Sequence, residues 1–425
     1  MDSSTSKNSM RGFYNLGIRL YGFAILIAGL FNEKAGKWKS GRKNIFSKLE
    51  AIIKGSSQPL AWFHCASLGE FEQGRPVIEA FRKKFPDYRI LLTFFSPSGY
   101  EARKDYKEAD YIFYLPLDTP SNAKRFIGIV KPSLAIFIKY EFWFNYLNEL
   151  KTKNIPSFIV SAKFREDQYF FKSTGAWFRK SLHFYNTLFV QDEGSEKLLK
   201  KFGITNVIVC GDTRFDRVIN ISQQPFSDSL IEKFKDGEYL WICGSTWEDD
   251  EKIIFPVFEK LIQAGQKIKL LIVPHDVNDA RIKSIQNKYH ESIRYSEAKE
   301  DTISRKNIMV LDKIGMLSFL YRYADLAYVG GGFGKGIHNL PEAAVYGIPV
   351  LFGPTHAKFI EAGELIKRSA GFSVSSQEEL DRCVTKLWTD EAYRLSCGQS
   401  GAAYILSGKG ATEKIISTLE KLIKA

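Results

Sequence analysis

Short apolar runs alternate along this chain with longer stretches in which apolar positions recur every three or four residues. That alternation predicts parallel sheets covered by helices. The first series of predicted strands spans residues 60–64, 90–94, 112–115, 134–138, 158–160, 188–190 and 207–209. A second series spans 240–243, 270–273, 308–311, 326–329, 350–352 and 372–374. Between them lies NISQQPFSDS, residues 220–229, a polar stretch around Pro225 that reads as a hinge or interdomain linker. The simplest α/β architecture is two Rossmann-like, doubly wound domains facing each other across a cleft. With 425 residues, 44% of them hydrophobic, the chain is long enough for each domain to bury its own core.

The N-terminus departs from the alternation. Residues 20–31, LYGFAILIAGLF, are apolar or small throughout; Arg19 precedes them, and Lys34, Lys37, Lys39, Arg42 and Lys43 follow. The run is shorter than the roughly 20 residues a spanning helix needs, and extending it back to Phe13 takes in Arg19. An anchor lying in one leaflet fits this pattern, with the basic cluster favouring an anionic cytoplasmic face. A buried core helix fits it too, whereas a cleaved signal peptide lacks a small-x-small site before the lysines. The division predicted is a membrane-associating segment 1–45, a first Rossmann-like domain 46–219 and a second Rossmann-like domain 220–425.

The formal net charge of +12 suits anionic partners, whether phosphorylated lipids, nucleotide sugars, membrane headgroups or nucleic acid. Cys65, Cys210, Cys243, Cys383 and Cys397 form no Cys-x-x-Cys pair, which speaks against a zinc site and fits a reducing compartment.

In open α/β sheets ligands bind beyond the carboxyl ends of the strands. The first strand leads into HCASLGEFEQGRP, bringing Ser67, Gly69 and Glu70 to the turn into a helix. Glu70 either complements the positive helix end or sits as a reactive carboxylate at the rim. IKYEFWFN places Lys139, Glu141 and Asn145 after another strand, where Glu141 is either a carboxyl whose aromatic neighbours raise its pKa or set it to orient a sugar, or an exposed helical glutamate. In the second half Gly244, Ser245 and Thr246 precede the acidic run EDDE (248–251), read as a solvated helix start. Pro274 and His275 end LLIVPH. The block VGGGFGKGIHNLPEAAVYGIPVLFGP carries a glycine loop and a helix start with His338, Asn339 and Glu342, and its position deep in the second half excludes the dinucleotide fingerprint.

HCASLGE, YEFWFN, FVQDEGSEKLLKKFG, GDTRFD, ICGSTWEDDE, IVPH and the GGG…HN…EAA…GIPVLFGP block follow one another in the order found in glycosyltransferase family 30, which the chain resembles over nearly its whole length. These are the 3-deoxy-D-manno-octulosonic acid (Kdo) transferases of lipopolysaccharide biosynthesis. The resemblance implies a GT-B fold, CMP-Kdo as donor, lipid IVA as acceptor, inversion at the anomeric carbon, no cofactor, no nucleic-acid partner and the cytoplasmic face of the inner membrane. It gives Glu70 the role of general base and Glu141 that of a second acid on the acceptor side. Arg214, Ser245 and Thr246 match donor contacts, Pro274 and His275 a nucleotide-contacting pair, and Ile314, Gly315 and Met316 a loop lining the cytidine site. Asn339, Leu340, Pro341 and Glu342 match the ribose and phosphate segment.

The charge pattern differs from many relatives at several positions. They carry an acid where Lys139 stands, Asn for Asp212, Lys for Arg214, Arg for His275 and an acid for Met316, and HNLPEAA replaces the more usual HNPLEPA. No Asp-x-Asp pattern occurs, and the CMP leaving group bears a single phosphate, so helix starts and basic residues are expected to do the work of a metal. Two other classes compete: another GT-B enzyme, such as a UDP-sugar transferase or epimerase, and a basic nucleic-acid-binding protein, for which no recognition motif is present.

Overall fold

The computed structural model describes the backbone of residues 3–53 and 57–424 and side chains from Met10 onward. It divides into two compact units, one comprising Met1–Asp216 with Gly410–Ala425, the other Arg217–Lys409.

The first unit is built on seven strands: β1 (Leu60–Cys65), β2 (Arg89–Phe94), β3 (Tyr111–Tyr114), β4 (Leu134–Ile138), β5 (Ser157–Ala162), β6 (Thr187–Val190) and β7 (Val207–Val209). They pair in the order β3-β2-β1-β4-β5-β6-β7, all parallel. Every residue of β1, β4, β5 and β6 is buried, as expected for strands covered on both faces. Trp62, Leu91 and Phe137 join one core, Phe63, Leu92 and Ile136 the other.

The second unit repeats the plan with β8 (Tyr239–Thr246), β9 (Ile268–Pro274), β10 (Ile293–Arg294), β11 (Ile308–Val310), β12 (Leu326–Val329), β13 (Val350–Phe352) and β14 (Gly371–Ser373). Their order is β10-β11-β9-β8-β12-β13-β14, again parallel. In both sheets the reversal of strand order lies beside the first strand, β1 or β8, which makes the carboxyl ends of those strands the natural ligand sites. The two-residue β10 is too short for any periodicity to reveal. Two Rossmann-like, doubly wound units are the GT-B plan.

The division of the chain differs from the sequence expectation. The stretch 220–229 is not one linker, because the helix Thr213–Gln223 runs through its first part and the helix Ser229–Lys235 takes its last residue. The boundary between units falls inside the first of these helices, after Asp216. Gly410–Ala425, expected in the second domain, belongs to the first unit. The Asp216 carboxylate accepts the backbone N–H groups of Gly410 and Thr412, both at 2.6 Å, and the helix Ala411–Lys424 adds Ile415, Ile416 and Leu419 to the core beside the helix Leu68–Lys84.

The N-terminal helix Ser3–Ala28 is held within the first unit by aromatic contacts of Tyr14 with Phe144, Trp177 and Phe178 and by hydrogen bonds. Tyr14 donates to the buried Asp118 carboxylate at 2.6 Å, and Asn145 donates to Asn15 at 2.9 Å. Phe13, Leu16, Leu20, Phe23, Ile27 and Leu30, spaced three or four apart, are exposed on one stripe that ends at Phe31, 87% exposed. No single described helix is long and apolar enough to cross a membrane; Met10–Ala28 with Glu33–Gly41, bent by 120°, meets the length and composition as a pair. The basic cluster is not uniformly free. Lys37 pairs with Glu33 at 2.6 Å, and the Arg42 guanidinium turns inward, donating to the carbonyls of Leu115, Phe95 and Trp38 while it covers the Trp38 ring. Lys34, Lys39 and Lys43 remain exposed.

Candidate functional site

In the first unit the carboxyl ends of β1 and β4 bring two glutamates together. The chain leaves β1 through Ala66, and Ser67 caps the helix Leu68–Lys84. Glu70 closes a capping box, its carboxylate accepting the Ser67 N–H at 3.0 Å, so the capping role read from the sequence is real. The same carboxyl is pushed up to about 7, first by burial and then by the negative charge of Glu141. Its capping bond and the Lys139 ammonium pull the other way without restoring the ordinary value. At about 7, Glu70 exchanges protons near neutral pH, as a general base must.

Glu141 is buried, and its position is over-determined. His64 on β1 approaches it through Nε2 at 3.0 Å, the Trp143 indole N–H donates to the same oxygen, and the Tyr185 hydroxyl donates to its backbone carbonyl. The other His64 nitrogen faces the Thr93 hydroxyl at 2.9 Å and carbonyl at 3.1 Å, while Trp62 donates to the Thr93 hydroxyl at 2.8 Å. Lys139, between β4 and Glu141, has a left-handed backbone with φ of 70°, a strained conformation for a residue with a side chain and one that concentrates at functional sites. Sequence reasoning found the two glutamates but read His64 as a strand residue. A histidine inside an otherwise apolar, fully buried strand was the available signal. Asn145 lies elsewhere, buried against Asp118 and Asn15. Arg214, matched to donor contacts, also lies in the first unit, its guanidinium spent on the Asp212 carboxylate at 2.7 and 3.0 Å.

In the second unit the loops after β8, β9, β11 and β12 carry the remaining candidates. Ser245 interrupts the register of β8 against β9, has φ of 54° and is half-buried. Thr246 turns the opposite way, fully inside, donating to Glu251 at 2.9 Å. The EDDE run is therefore not a solvated helix start throughout. Glu248 and Asp249 are exposed, but Asp250 is buried and accepts from the N–H groups of Trp247 and Gly331 and from the Tyr328 hydroxyl, each at 2.9 Å. Glu251 takes Arg281 at 2.5 Å. Four carboxylates at this helix start repel a phosphate, and the Trp247 amide is already taken.

The glycine loop has a packing reason. A Cβ on Gly330 would stand 2.4 Å from the Ser245 carbonyl oxygen and 2.8 Å from Asp250, so the loop abuts β8 where it leads to the site. Above it Trp247, His275 and His338 stack in sequence, with His275 4.7 Å from Trp247 and 4.4 Å from His338 between ring centroids. Burial and the neighbouring His275 push His338 down to about 4, which keeps it neutral, and Trp247 donates to its Nε2 at 3.1 Å. Trp247, an exposed aromatic directly after a strand end, was passed over in the sequence. Asn339 donates to Glu342 at 2.8 Å, while its own Oδ1 is buried without a partner. Leu340 and Pro341 are buried beneath them, as is Pro274 beside His275. Ile314, 86% exposed, tips the loop that continues through Gly315 and Met316. Ser245, His275, His338, Asn339 and Glu342 thus form a polar and aromatic rim over a buried support.

Residues 40–217 match the family described as 3-Deoxy-D-manno-octulosonic-acid transferase (kdotransferase). The chain is 30% identical to the 3-deoxy-D-manno-octulosonic acid transferase of Aquifex aeolicus over 77% of its own length and 84% of that protein's. It is 26% identical to the transferase of the same name from Haemophilus influenzae, covering 85% of this chain and 87% of the other. Among solved structures, the UDP-GlcNAc 2-epimerase of Neisseria meningitidis shares the fold, with a TM-score of 0.56 at 16% identity over 85% of this chain and 99% of that one. Matched in sequence over most of both chains by these transferases, the chain belongs to the Kdo transferase family of glycosyltransferases.

Proposed function

We propose that this protein transfers Kdo from CMP-Kdo to the lipid A precursor lipid IVA, with inversion, at the cytoplasmic face of the inner membrane. The observation that carries the reading is Glu70, a carboxyl at the end of β1 pushed up to about 7. As the acceptor's primary hydroxyl attacks the anomeric carbon of Kdo, Glu70 takes the hydroxyl proton. The new C–O bond forms while the bond to the CMP phosphate breaks and the electron pair leaves with CMP. Glu141, fixed by His64 and Trp143, keeps Glu70 basic and faces the acceptor side. Asn339 and Glu342 take the ribose hydroxyls, for which the unpartnered Asn339 Oδ1 is an acceptor in waiting. Ser245 and His275 contact the nucleotide donor, and the loop Ile314, Gly315 and Met316 closes on the cytosine. Thr246, Leu340 and Pro341 support these groups from below. The exposed apolar stripe of the N-terminal helix, with Lys34, Lys39 and Lys43, supports attachment to an anionic membrane surface.

The test is to incubate the purified protein with lipid IVA and CMP-Kdo and follow product mass, which also counts the Kdo residues added. Calorimetry with CMP and UDP provides the second arm. Product gain by whole Kdo increments with preference for CMP is expected; preference for UDP, or no product, overturns the donor and acceptor assigned here.

A further inference from the structure

The first unit contains a second site that the transfer chemistry leaves unused. A cavity of about 910 Å³ opens between the N-terminal helices and the segment that follows β3, at the upper end of the size range of small-molecule sites. Leu26, Trp38, Ile45, Phe46 and Leu117 give it apolar walls. Its wall is rigid where Arg42 lies 3.8 Å over the Trp38 ring and ties three backbone carbonyls together.

Charge is confined to the lining's cations, Lys39, Lys43 and Arg125, along with Arg42. Arg125 shares Glu50 at 3.3 Å, whereas no carboxylate among the described residues lies within ion-pair range of Lys39 or Lys43. An apolar chamber edged by unpaired ammonium groups complements a molecule with hydrocarbon at one end and an anionic group at the other.

Two features select among such molecules. Leu26, exposed beside the apolar stripe of the N-terminal helix next to Ile27, also lines the cavity, so hydrocarbon has an apolar path inward. Trp38 also packs edge-on against Phe95 at 5.9 Å, Phe95 lies 4.7 Å from Trp143, and Trp143 donates to Glu141. One row of aromatic rings therefore separates the cavity from the paired glutamates.

We propose that this cavity holds an acyl chain of the lipid acceptor, with Lys39 and Lys43 meeting its phosphate, while its sugar end reaches Glu70 and Glu141. The assignment rests on the proposed function and specifies where the acceptor's apolar part is bound.

Gly36 lines the cavity, and a Cβ there meets only the Gly29 carbonyl oxygen at 3.6 Å, so Gly36→Leu fills the chamber without a backbone clash. The variant should raise KM for detergent-dispersed acylated acceptor more than tenfold, about 1.4 kcal/mol. KM for the deacylated, phosphorylated sugar acceptor and the affinity for CMP should stay at parental values. In the parent protein, a photoactivatable group on the acceptor's acyl chain should label residues 26–47, and Lys39→Gln with Lys43→Gln should weaken that labelling. Unchanged KM in Gly36→Leu, or labelling elsewhere, overturns the proposal. So does labelling of the same residues by a bilayer phosphatidylglycerol chain that acylated acceptor does not displace, which would make the cavity a site for bulk lipid. Acceptor labelling at residues 26–47 in a protein that transfers no sugar would refute the proposed function and leave the lipid site standing.

Discussion

Glu70→Gln keeps the shape of the side chain and its capping bond to Ser67 but removes the basic oxygen. With the carboxyl at about 7, half of the parent molecules carry the base at pH 7, roughly nine in ten at pH 8 and one in ten at pH 6. The parent kcat/KM should therefore fall about tenfold between pH 8 and pH 6. Loss of a positioned base costs on the order of 10²- to 10⁴-fold, or about 2.7–5.4 kcal/mol of barrier, and the residual rate should lose that acid limb. Folding stability moves in the opposite sense. A carboxyl raised from 4.5 to about 7 binds its proton more tightly folded than unfolded, so it favours folding fully only below the unfolded value. That contribution is lost as pH rises toward 7, and the loss reaches about 3 kcal/mol above it. Glu70→Gln should accordingly melt at a higher temperature than the parent at pH 8 and near the parent at pH 4. The assay is a pH series of initial rates beside thermal unfolding of both proteins. Turnover near the parental rate, or the same acid limb in the variant, refutes the assignment of Glu70 as the base. Glu141→Gln supplies an internal control, because removing the adjacent charge should move the parental limb to lower pH, and an upward shift would contradict the electrostatic account.

Other expectations follow from single contacts. Asp250→Ala leaves the Trp247 and Gly331 amides and the Tyr328 hydroxyl without an acceptor, so denaturant unfolding should show a loss on the order of 3 kcal/mol or more, with CMP binding weakened as the glycine loop loosens. Tyr14→Phe removes a hydrogen bond to a buried carboxylate worth about 1.5–3 kcal/mol, which limited proteolysis should register as earlier cleavage in the N-terminal helix while residues 217–409 stay protected. Replacing Lys34, Lys39 and Lys43 with Gln should weaken sedimentation with anionic vesicles at low salt by about 1 kcal/mol per lysine; high salt should reproduce the loss in the parent, CMP affinity should not change, and parental vesicle binding by the variant would leave the apolar stripe as the sole anchor.

What the sequence made legible was whatever periodicity or strand-end position controls. The thirteen predicted strands all recur, with ends shifted by three residues at most, because continuous apolar runs mark strands covered on both faces. Glu70, Glu141, Ser245 and His275 could be singled out because strand ends are where such sheets bind ligands, and Glu342 because a helix start follows the glycine loop. Burial of polar groups was not legible. Asp249 is exposed and Asp250 buried; beyond the local cap to Trp247, what holds Asp250 inside is the Tyr328 hydroxyl and a hydrogen bond from Gly331, 81 positions away. His64 depends in the same way on Glu141, 77 positions on. The return of Ala411–Lys424 to the first unit is likewise fixed by Asp216, a contact across 194 residues that no window of sequence contains.

The buried carboxylates differ in how fully their partners compensate them, and that difference separates structure from chemistry. Burial raises Asp250 and Glu251 as it raises Glu70. Asp250, however, is held by three donors and Glu251 by an arginine and a hydroxyl, so each is committed to its place and a proton gained or lost there would break the fold's own bonds. Glu70 has the short reach of its own cap, only part of an ammonium's field from Lys139, and an uncancelled negative neighbour. The neighbour cannot retreat, because His64, Trp143 and the strand ends fix it. Repulsion that would ordinarily relax by side-chain rotation is thus built into rigid elements and remains available to drive proton uptake by Glu70.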